Sequence, residues 1–499
     1  MEERLDRAMA TQRWLSLFDP ICVHNLNTFT SDHSALFLDF LEEKVTKHRR
    51  FRFENAWVKE EDCKSLVVNS WNWCWQNDVQ EKIAKCGKDL QVWGEKKRMQ
   101  FKNKIKECRS RSRIKVLKFR RDEESVRKLK ETNNELSTLL NQQEMYWRQR
   151  AKQFWLVEGD SNTKFFHQFA SARKQKNSIV RLQDDHGQWQ SWNAGLEDMI
   201  KSYFTDIFTS RGCEGGDIFN CVQSKVTEIQ NQELIRLFEA MEIKEALFAM
   251  HPDKAPGPNG MNPGFYQQFW DIVGEDVTNA CLHNLNNAFI PSGLNSTIIV
   301  LVPKTKKPVK MTELRPIALC NVIYKIMAKA IANRLKKILP MIISESQSAF
   351  VEGRSIMDNI LVAFEVNHYL KRKTQGRKGV AALKIDMSKA YDRIEWLFLR
   401  RMMQALGFDE AWIELVMVCI TSVEYKVIQD GCEVGPIVPG RGLRQGDPIS
   451  PYLFIMCVEG LSSLLRKYEL RGLIHGCKVA RNAPMISHLF FADDSFLFF

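Results

Sequence analysis

The sequence predicts an α/β protein of more than one domain, with strands and helices interleaved along the chain. Three observations carry that expectation. Apolar runs of strand length, TIIVLVPK, GVAALKIDM and HLFF…SFLFF, stand between longer segments of helical period. VIYKIMAKAIANRLKKILPMI repeats its apolar residues at the spacing of an amphipathic helix. Finally, 499 residues with 44% hydrophobic and 26% charged side chains suffice for two to four folded domains.

Taken in order, residues 1–41 hold short apolar segments, WLSLFDPICVHNL and SDHSALFLDFL, that predict two or three strands. So few strands do not close a domain alone. A helical stretch follows, from about 59 to 158, within a basic linker region assigned to 42–209. Its segment 96–130 carries 16 Lys/Arg and 4 Asp/Glu. Two readings of that run are open, a solvated helix face or a surface for phosphates. The second takes Lys102, Lys104, Lys106, Arg109, Arg111 and Arg113 as nucleic-acid contacts, because too few acids are present to pair the bases. SIVRLQDDHGQWQSW, at 178–192, reads as a hairpin turning at Asp-His-Gly. SRGCEGGD opens a linker assigned to 210–224, and the motif-dense remainder is 225–499.

The formal net charge of +12 points to an anionic partner, nucleic acid or an acidic surface. The 13 cysteines show no CxxC pair or Cys/His cluster, which argues against zinc and for reduced core thiols. The charged start MEERLDRAMA is unlike a secretory signal, and no apolar run reaches the ~18 residues that span a bilayer.

Three carboxylates carry the chemistry. Asp386 ends the strand VAALKIDM, and Asp493 and Asp494 lie in a turn between apolar runs. Adjacent aspartates reach one site only where the backbone turns, and carboxylates beside apolar strands need counter-charge. A hard divalent metal supplies it, and two metals clamp an in-line phosphoryl transfer. The pair alone is equally what any Asp-rich turn looks like.

KIDMSKAYDR at 384–393, GLRQGDPISPYLFIMCVEGL at 442–461 and FADD at 491–494 together resemble the palm motifs of reverse transcriptases. LVPK at 301–304, LRPIALCNVIYKIMAKAIANRL at 314–335 and SESQSAFVEGRSIMDNI at 344–360 resemble the fingers motifs of the same family. DKAPGPNG at 253–260 and YWRQRAKQFWLVEGDSNTKFFHQFASARKQKN at 146–177 are similar to plant long interspersed elements, retrotransposons without long terminal repeats.

The resemblance implies a right-hand polymerase, with fingers and an incomplete α+β palm, that copies RNA into DNA. It makes Asp386, Asp493 and Asp494 ligands of two Mg²⁺ ions, with Mn²⁺ as a substitute. Tyr391 becomes the aromatic gate against a 2′-hydroxyl. Gln445 and Gly446 contact the incoming nucleotide and admit the template backbone. Lys304 and Arg315 are candidates for the triphosphate, or else face solvent, and Arg354 tracks a nucleic-acid backbone. RNA template, DNA primer and deoxynucleoside triphosphates are the implied partners, without a membrane; the oligomeric state stays open. An intracellular site, nucleus or cytoplasm, is implied as well.

ERLDRAMATQRW and SDHSALFL resemble the last strands of the apurinic-type endonuclease found ahead of the polymerase in such elements. Asp32 and His33 would be its phosphate-positioning pair, in a remnant without nuclease activity. Asn259 replaces the usual Asp of the KAPGPDG-like loop, and Ala35 the usual Pro. The expectation for the C-terminal end is a chain cut after FADD, without thumb, leaving its last hairpin as an exposed edge. The competing function is an inactive nucleic-acid-binding fragment of a degenerate element.

Overall fold

The structure, a computed structural model, describes residues 9–11, 14, 21–26, 35–40, 50–73, 78–113, 123–151, 163–213, 215–373 and 379–499. Two compact units result, one of residues 1–49 with 430–432, the other of the remaining chain. In the first, β1 (Ile21–Leu26) and β2 (Ala35–Phe40) form an antiparallel pair from Ile21↔Phe40 to Leu26↔Ala35. Asp32 and His33 lie outside the described residues.

The second unit holds the motifs. Helices Glu61–Trp71, Val79–Arg113, Glu123–Ala151 and Thr163–Lys176 replace the single helical stretch expected over 59–158. The first two do not behave as a linker. Phe53, Cys63, Val67, Trp71, Ile83 and Leu90 are buried in the main core with Phe265, Tyr266 and Phe269. The basic segment begins where that burial ends. Beyond it, Ile105 and Cys108 pack on Leu139 of Glu123–Ala151, so the two helices form a paired arm.

β3 (Arg181–Gln183) and β4 (Trp189–Ser191) form the expected hairpin, in register Arg181↔Ser191. With helix Leu196–Phe208, this segment builds a second core against β5 (Ser296–Pro303) and β6 (Leu314–Cys320). Thus 178–208 belongs to the sheet layer. The 210–224 stretch is also anchored: Ser210 Oγ donates to Glu395 at 2.6 Å, and Arg211 N–H donates to the same carboxylate at 3.1 Å.

The strand that follows the fingers motifs is β7 (Ala382–Asp386). β8 (Glu424–Gln429) and β9 (Cys432–Ile437) complete a four-stranded sheet of order β6-β5-β8-β9. β5 is central, parallel to β8 and antiparallel to β6, which explains its near-continuous apolar sequence.

Helix Val322–Lys336 has the expected amphipathic face, with Lys329, Asn333 and Lys336 half-exposed on one side and the other residues buried. Two buried basic residues of this helix have inward partners. Lys325 Nζ donates to Ala255 O at 3.1 Å. Arg334 forks onto Glu242 at 2.8 and 2.9 Å and covers the Phe238 ring at 3.5 Å. The DKAPGPNG loop closes over this helix's start. A Cβ on Gly257 would lie 2.4 Å from Asn321 N, so only glycine fits. Asn259 Oδ1 accepts from Met261 N–H at 3.1 Å, a bond that Asp would make equally, which accounts for the tolerated exchange.

β10 (His488–Phe491) and β11 (Asp494–Phe498) form the last hairpin, in a sheet of order β10-β11-β7. The expectation of an exposed hairpin edge is corrected here. Phe490 exchanges backbone hydrogen bonds with Ser346 and Ser348, at 2.7 and 3.2 Å, which closes β10. Helix Ile356–Arg372 covers Leu489 and Phe498 through Val366. The open edge is β7 instead, where Leu383 is exposed.

Candidate active site

β7 delivers Asp386 at its C-terminal end, and β11 begins at Asp494. The register pairs these two residues directly, so both side chains stand on one face of the sheet. Ala492 and Asp493 make the intervening two-residue turn, with Ala492 in the left-handed region at φ 53°. That conformation is unfavourable for a residue with a Cβ. It is held by Gln347, whose Oε1 accepts from Ala492 N–H at 3.2 Å and from Ala349 N–H at 2.9 Å. Asn359 Nδ2 adds a bond to Phe490 O at 2.9 Å. The SESQSAF and MDNI segments thus brace the aspartate turn.

The three carboxylates differ in their surroundings. Asp494 pairs with Lys384 Nζ at 3.1 Å, on the same face and two residues before Asp386. Among the described residues, neither Asp386 nor Asp493 has a cationic partner. No three His, Cys, Asp or Glu side chains among the described residues already converge as a metal cluster. The donors are hard oxygens of low intrinsic pairing, which suits Mg²⁺ or Mn²⁺ rather than a soft metal. Asp386 and Asp493 are the two available to hold one.

Tyr391 lies in a 3₁₀ turn, Tyr391–Arg393, five residues beyond Asp386. Its ring stacks on Phe454 at 4.6 Å and 9°. Burial, then the charge of Asp493, pushes its phenol up to about 12. The ring therefore borders the aspartate turn as a rigid, un-ionised plate.

The RQGDP loop runs alongside. Leu443 N–H donates to Tyr391 O at 2.7 Å, and Ala318 N–H donates to Gln445 O at 3.0 Å. Gly446 is exposed at φ +108°, where a Cβ would sit 3.2 Å from Ala318 O. The loop's anchor was not singled out from sequence. Arg444 and Asp447 form a fully buried ion pair at 2.7 Å. Tyr324 Oη donates to Asp447 at 2.7 Å, and Arg444 donates to Cys419 O at 2.7 Å and to Asn295. The signal was in the motif itself, where an i,i+3 Arg and Asp flank the glycine.

Lys304 and Arg315 are exposed near the ends of the β5–β6 hairpin. Lys304 Nζ donates to Thr312 O at 3.1 Å. Sequence reading missed two cations in SKAYDR that join Lys304 electrostatically. Lys389 is half-buried, and its ammonium is lowered by burial and then by Lys304 and Arg393, against the pull of Asp392. Asp392 is buried, and desolvation raises its carboxyl despite those three cations. A positive cluster thus stands beside the Tyr391 turn.

Other expected contacts fall elsewhere. The Arg354 guanidinium donates to the carbonyls of Ser344, Gln347, Pro340 and Ile343 at 2.5–3.2 Å. It fastens the loop that braces β10, so its donors are engaged within the fold. Lys104 and Lys106 are exposed on helix Val79–Arg113. Lys102, Arg109, Arg111 and Arg113 belong to the same helix, but their side chains lie outside the described set.

Comparisons with known proteins agree with this geometry. Residues 302–499 match the family described as reverse transcriptase (RNA-dependent DNA polymerase). The Transposon TX1 uncharacterized 149 kDa protein of Xenopus laevis is 28% identical over 330 residues, 65% of this chain and 25% of that protein. An uncharacterized mitochondrial protein of Arabidopsis thaliana is 53% identical over 68 residues, 14% of this chain and 56% of its own length. The Retrovirus-related Pol polyprotein from a type-2 retrotransposable element of Drosophila melanogaster is 25% identical over 244 residues, 49% of this chain and 22% of that protein. The chain spans about a quarter of the first of these relatives and just over half of the second. No helix among the described residues is long and apolar enough to cross a membrane. Residues 302–499 thus match the reverse transcriptase family, and the relatives that resemble this chain include proteins of a transposon and of a retrotransposable element.

Proposed function

We propose that this chain performs RNA-directed DNA synthesis for a plant long interspersed element. The observation that carries the reading is the register of Asp386 with Asp494, which brings Asp493 into a turn bordered by Tyr391. Asp386 and Asp493 would hold two Mg²⁺ ions, with Mn²⁺ as a substitute and Asp494 assisting. Bound there, the metals supply stabilisation of the charge that develops on the transferring phosphate oxygens. The chain's own residues do the positioning. The Tyr391 plate lies under the sugar and excludes a 2′-hydroxyl. Gly446, lacking a Cβ, lets a nucleic-acid backbone approach beside Gln445. Lys304, Lys389 and Arg393, with Arg315 behind them, neutralise a triphosphate. The helical arm bearing Lys102, Lys104, Lys106, Arg109, Arg111 and Arg113 holds RNA.

Plant origin is supported by the DKAPGPNG and YWRQRAKQFW motifs and by the Arabidopsis relative. An endonuclease remnant at residues 1–41 is supported by SDHSALFL alone. RNA template, DNA primer and deoxynucleoside triphosphates are the proposed partners. Primer extension on an RNA template with Mg²⁺, comparing the chain with its Asp493→Asn variant, tests the reading. Extension abolished by the substitution is the expected result. RNA binding without extension by either protein would favour the inactive binding fragment.

A further inference from the structure

Away from the carboxylates, the β3–β4 hairpin and the loop after β5 border an open groove of about 500 Å³. Gln183 N–H donates to Val309 O at 2.7 Å, which fixes the hairpin to that loop. Lys176, Arg181, Lys306 and Lys307 line the groove, all four exposed, together with Trp189 and Val180. None of these cations makes an ion pair among the described residues, and no acidic side chain lines the groove. The nearby Asp184 carboxylate is turned into its own hairpin, accepting from His186, Gln188 and Gln190. Trp189 keeps 45% of its surface exposed, with the Arg181 guanidinium 4.5 Å from its ring centre.

Four cations without counter-charge, around a tryptophan left open to solvent, cost stability unless a ligand supplies phosphates and a flat apolar face. Single-stranded nucleic acid offers both. Its backbone answers the cations, and its unpaired bases stack on aromatic rings. A duplex keeps its bases inside and offers phosphates alone. The groove also adjoins the candidate nucleotide site. Lys306 and Lys307 follow Lys304 by two and three residues, within about 11 Å along the chain. We infer that this groove holds single-stranded nucleic acid, with one base on Trp189 and flanking phosphates on Lys176, Arg181, Lys306 and Lys307. The strand it holds is the template approaching the Asp386 site, an assignment that rests on the polymerase reading; the binding itself does not.

Fluorescence anisotropy with a labelled 20-nucleotide single-stranded RNA and the full chain tests the groove, with a blunt RNA duplex in parallel. The double substitution Lys306→Glu and Lys307→Glu is expected to weaken single-strand binding at least tenfold. It should also flatten the salt dependence by about 1 to 1.5 in log–log slope. Trp189→Ala is expected to weaken it roughly tenfold with the slope unchanged, while Trp189→Phe retains the affinity. Matched thermal unfolding of the variants separates binding from folding. Unchanged affinity in the charge-reversed protein overturns the proposal, as does an equal loss on the duplex for Trp189→Ala. A chain that binds in this way but never extends a primer would condemn the catalytic reading alone.

Discussion

Asp386 and Asp494 face each other across β7 and β11, directly in register, although 108 positions separate them in the sequence. That pairing makes a site of what are otherwise a strand end and a hairpin turn. Asp494 is already neutralised by Lys384, whereas Asp386 and Asp493 are not.

The three carboxylates should therefore be unequal. On the proposed reading, Asp386→Asn and Asp493→Asn are expected to lower the primer-extension rate by roughly three orders of magnitude, since each removes a carboxylate proposed to hold Mg²⁺. Asp494→Asn should cost less, because Lys384 already draws on that charge. Single-turnover extension rates across a Mg²⁺ titration measure the order; an Asp494 variant as dead as the other two would contradict it.

The RQGDP anchor should be a stability element first. Asp447→Ala leaves Arg444 buried without its partner, at a cost of about 3–5 kcal/mol. Tyr324→Phe removes one hydrogen bond to a buried carboxylate and should cost about 1.5–3 kcal/mol. Urea unfolding of both variants gives the values, and near-neutral effects would mean the network does not form.

Stability should also fall in mild acid through His488. Its imidazole is buried against Ser346, Ser462 and Ser487, and burial, then Arg466, lowers it to about 4. An unfolded histidine titrates near 6.5, so between these values the unfolded chain binds a proton that the folded one refuses. The contribution is complete above about pH 6.5 and declines toward pH 4, by roughly 3 kcal/mol at most. Chemical denaturation at pH 4.5 and 7.5 should show the slope, and His488→Gln should remove that part of it.

Arg354→Ala should act on folding rather than on nucleic acid. Its guanidinium satisfies four carbonyls, those of Pro340 and Ile343 at the helical turn before the loop and those of Ser344 and Gln347 in the loop that braces β10. Loss of about 2–4 kcal/mol in unfolding free energy is expected, from carbonyls left unpaired. The salt dependence of RNA binding should stay as it is. A slope reduced by about 0.7 would return Arg354 to the phosphate-contacting role its motif implies.

What the sequence by itself determined were the features encoded locally. The strands TIIVLVPK, ALKID and HLFF and the 178–192 hairpin follow from short-range pattern and turn chemistry; the turn expected at Asp493 and Asp494 lies one residue earlier, at Ala492–Asp493, with Asp494 opening β11. The resemblance of the motifs to those of reverse transcriptases implied that Asp386, Asp493, Asp494 and Tyr391 share one site. Tertiary structure decided everything that depends on which face meets which. Residues 51–93 read as a linker because a helix's charges are visible in sequence while its docking partner is not; Phe53 and Trp71 join Phe265 only in three dimensions. Lys325 and Arg334 are buried on an amphipathic helix because inward carbonyls and Glu242 receive them, partners that no local pattern names. Arg354 read as a phosphate ligand, because a guanidinium in a basic chain has the same chemistry whichever acceptor it meets. Lys389 and Arg393 joined Lys304, and Trp189 joined Lys306, only once the sheet had been assembled. Long-range pairing of charge with counter-charge is a property of the packed chain, and no local pattern specifies it.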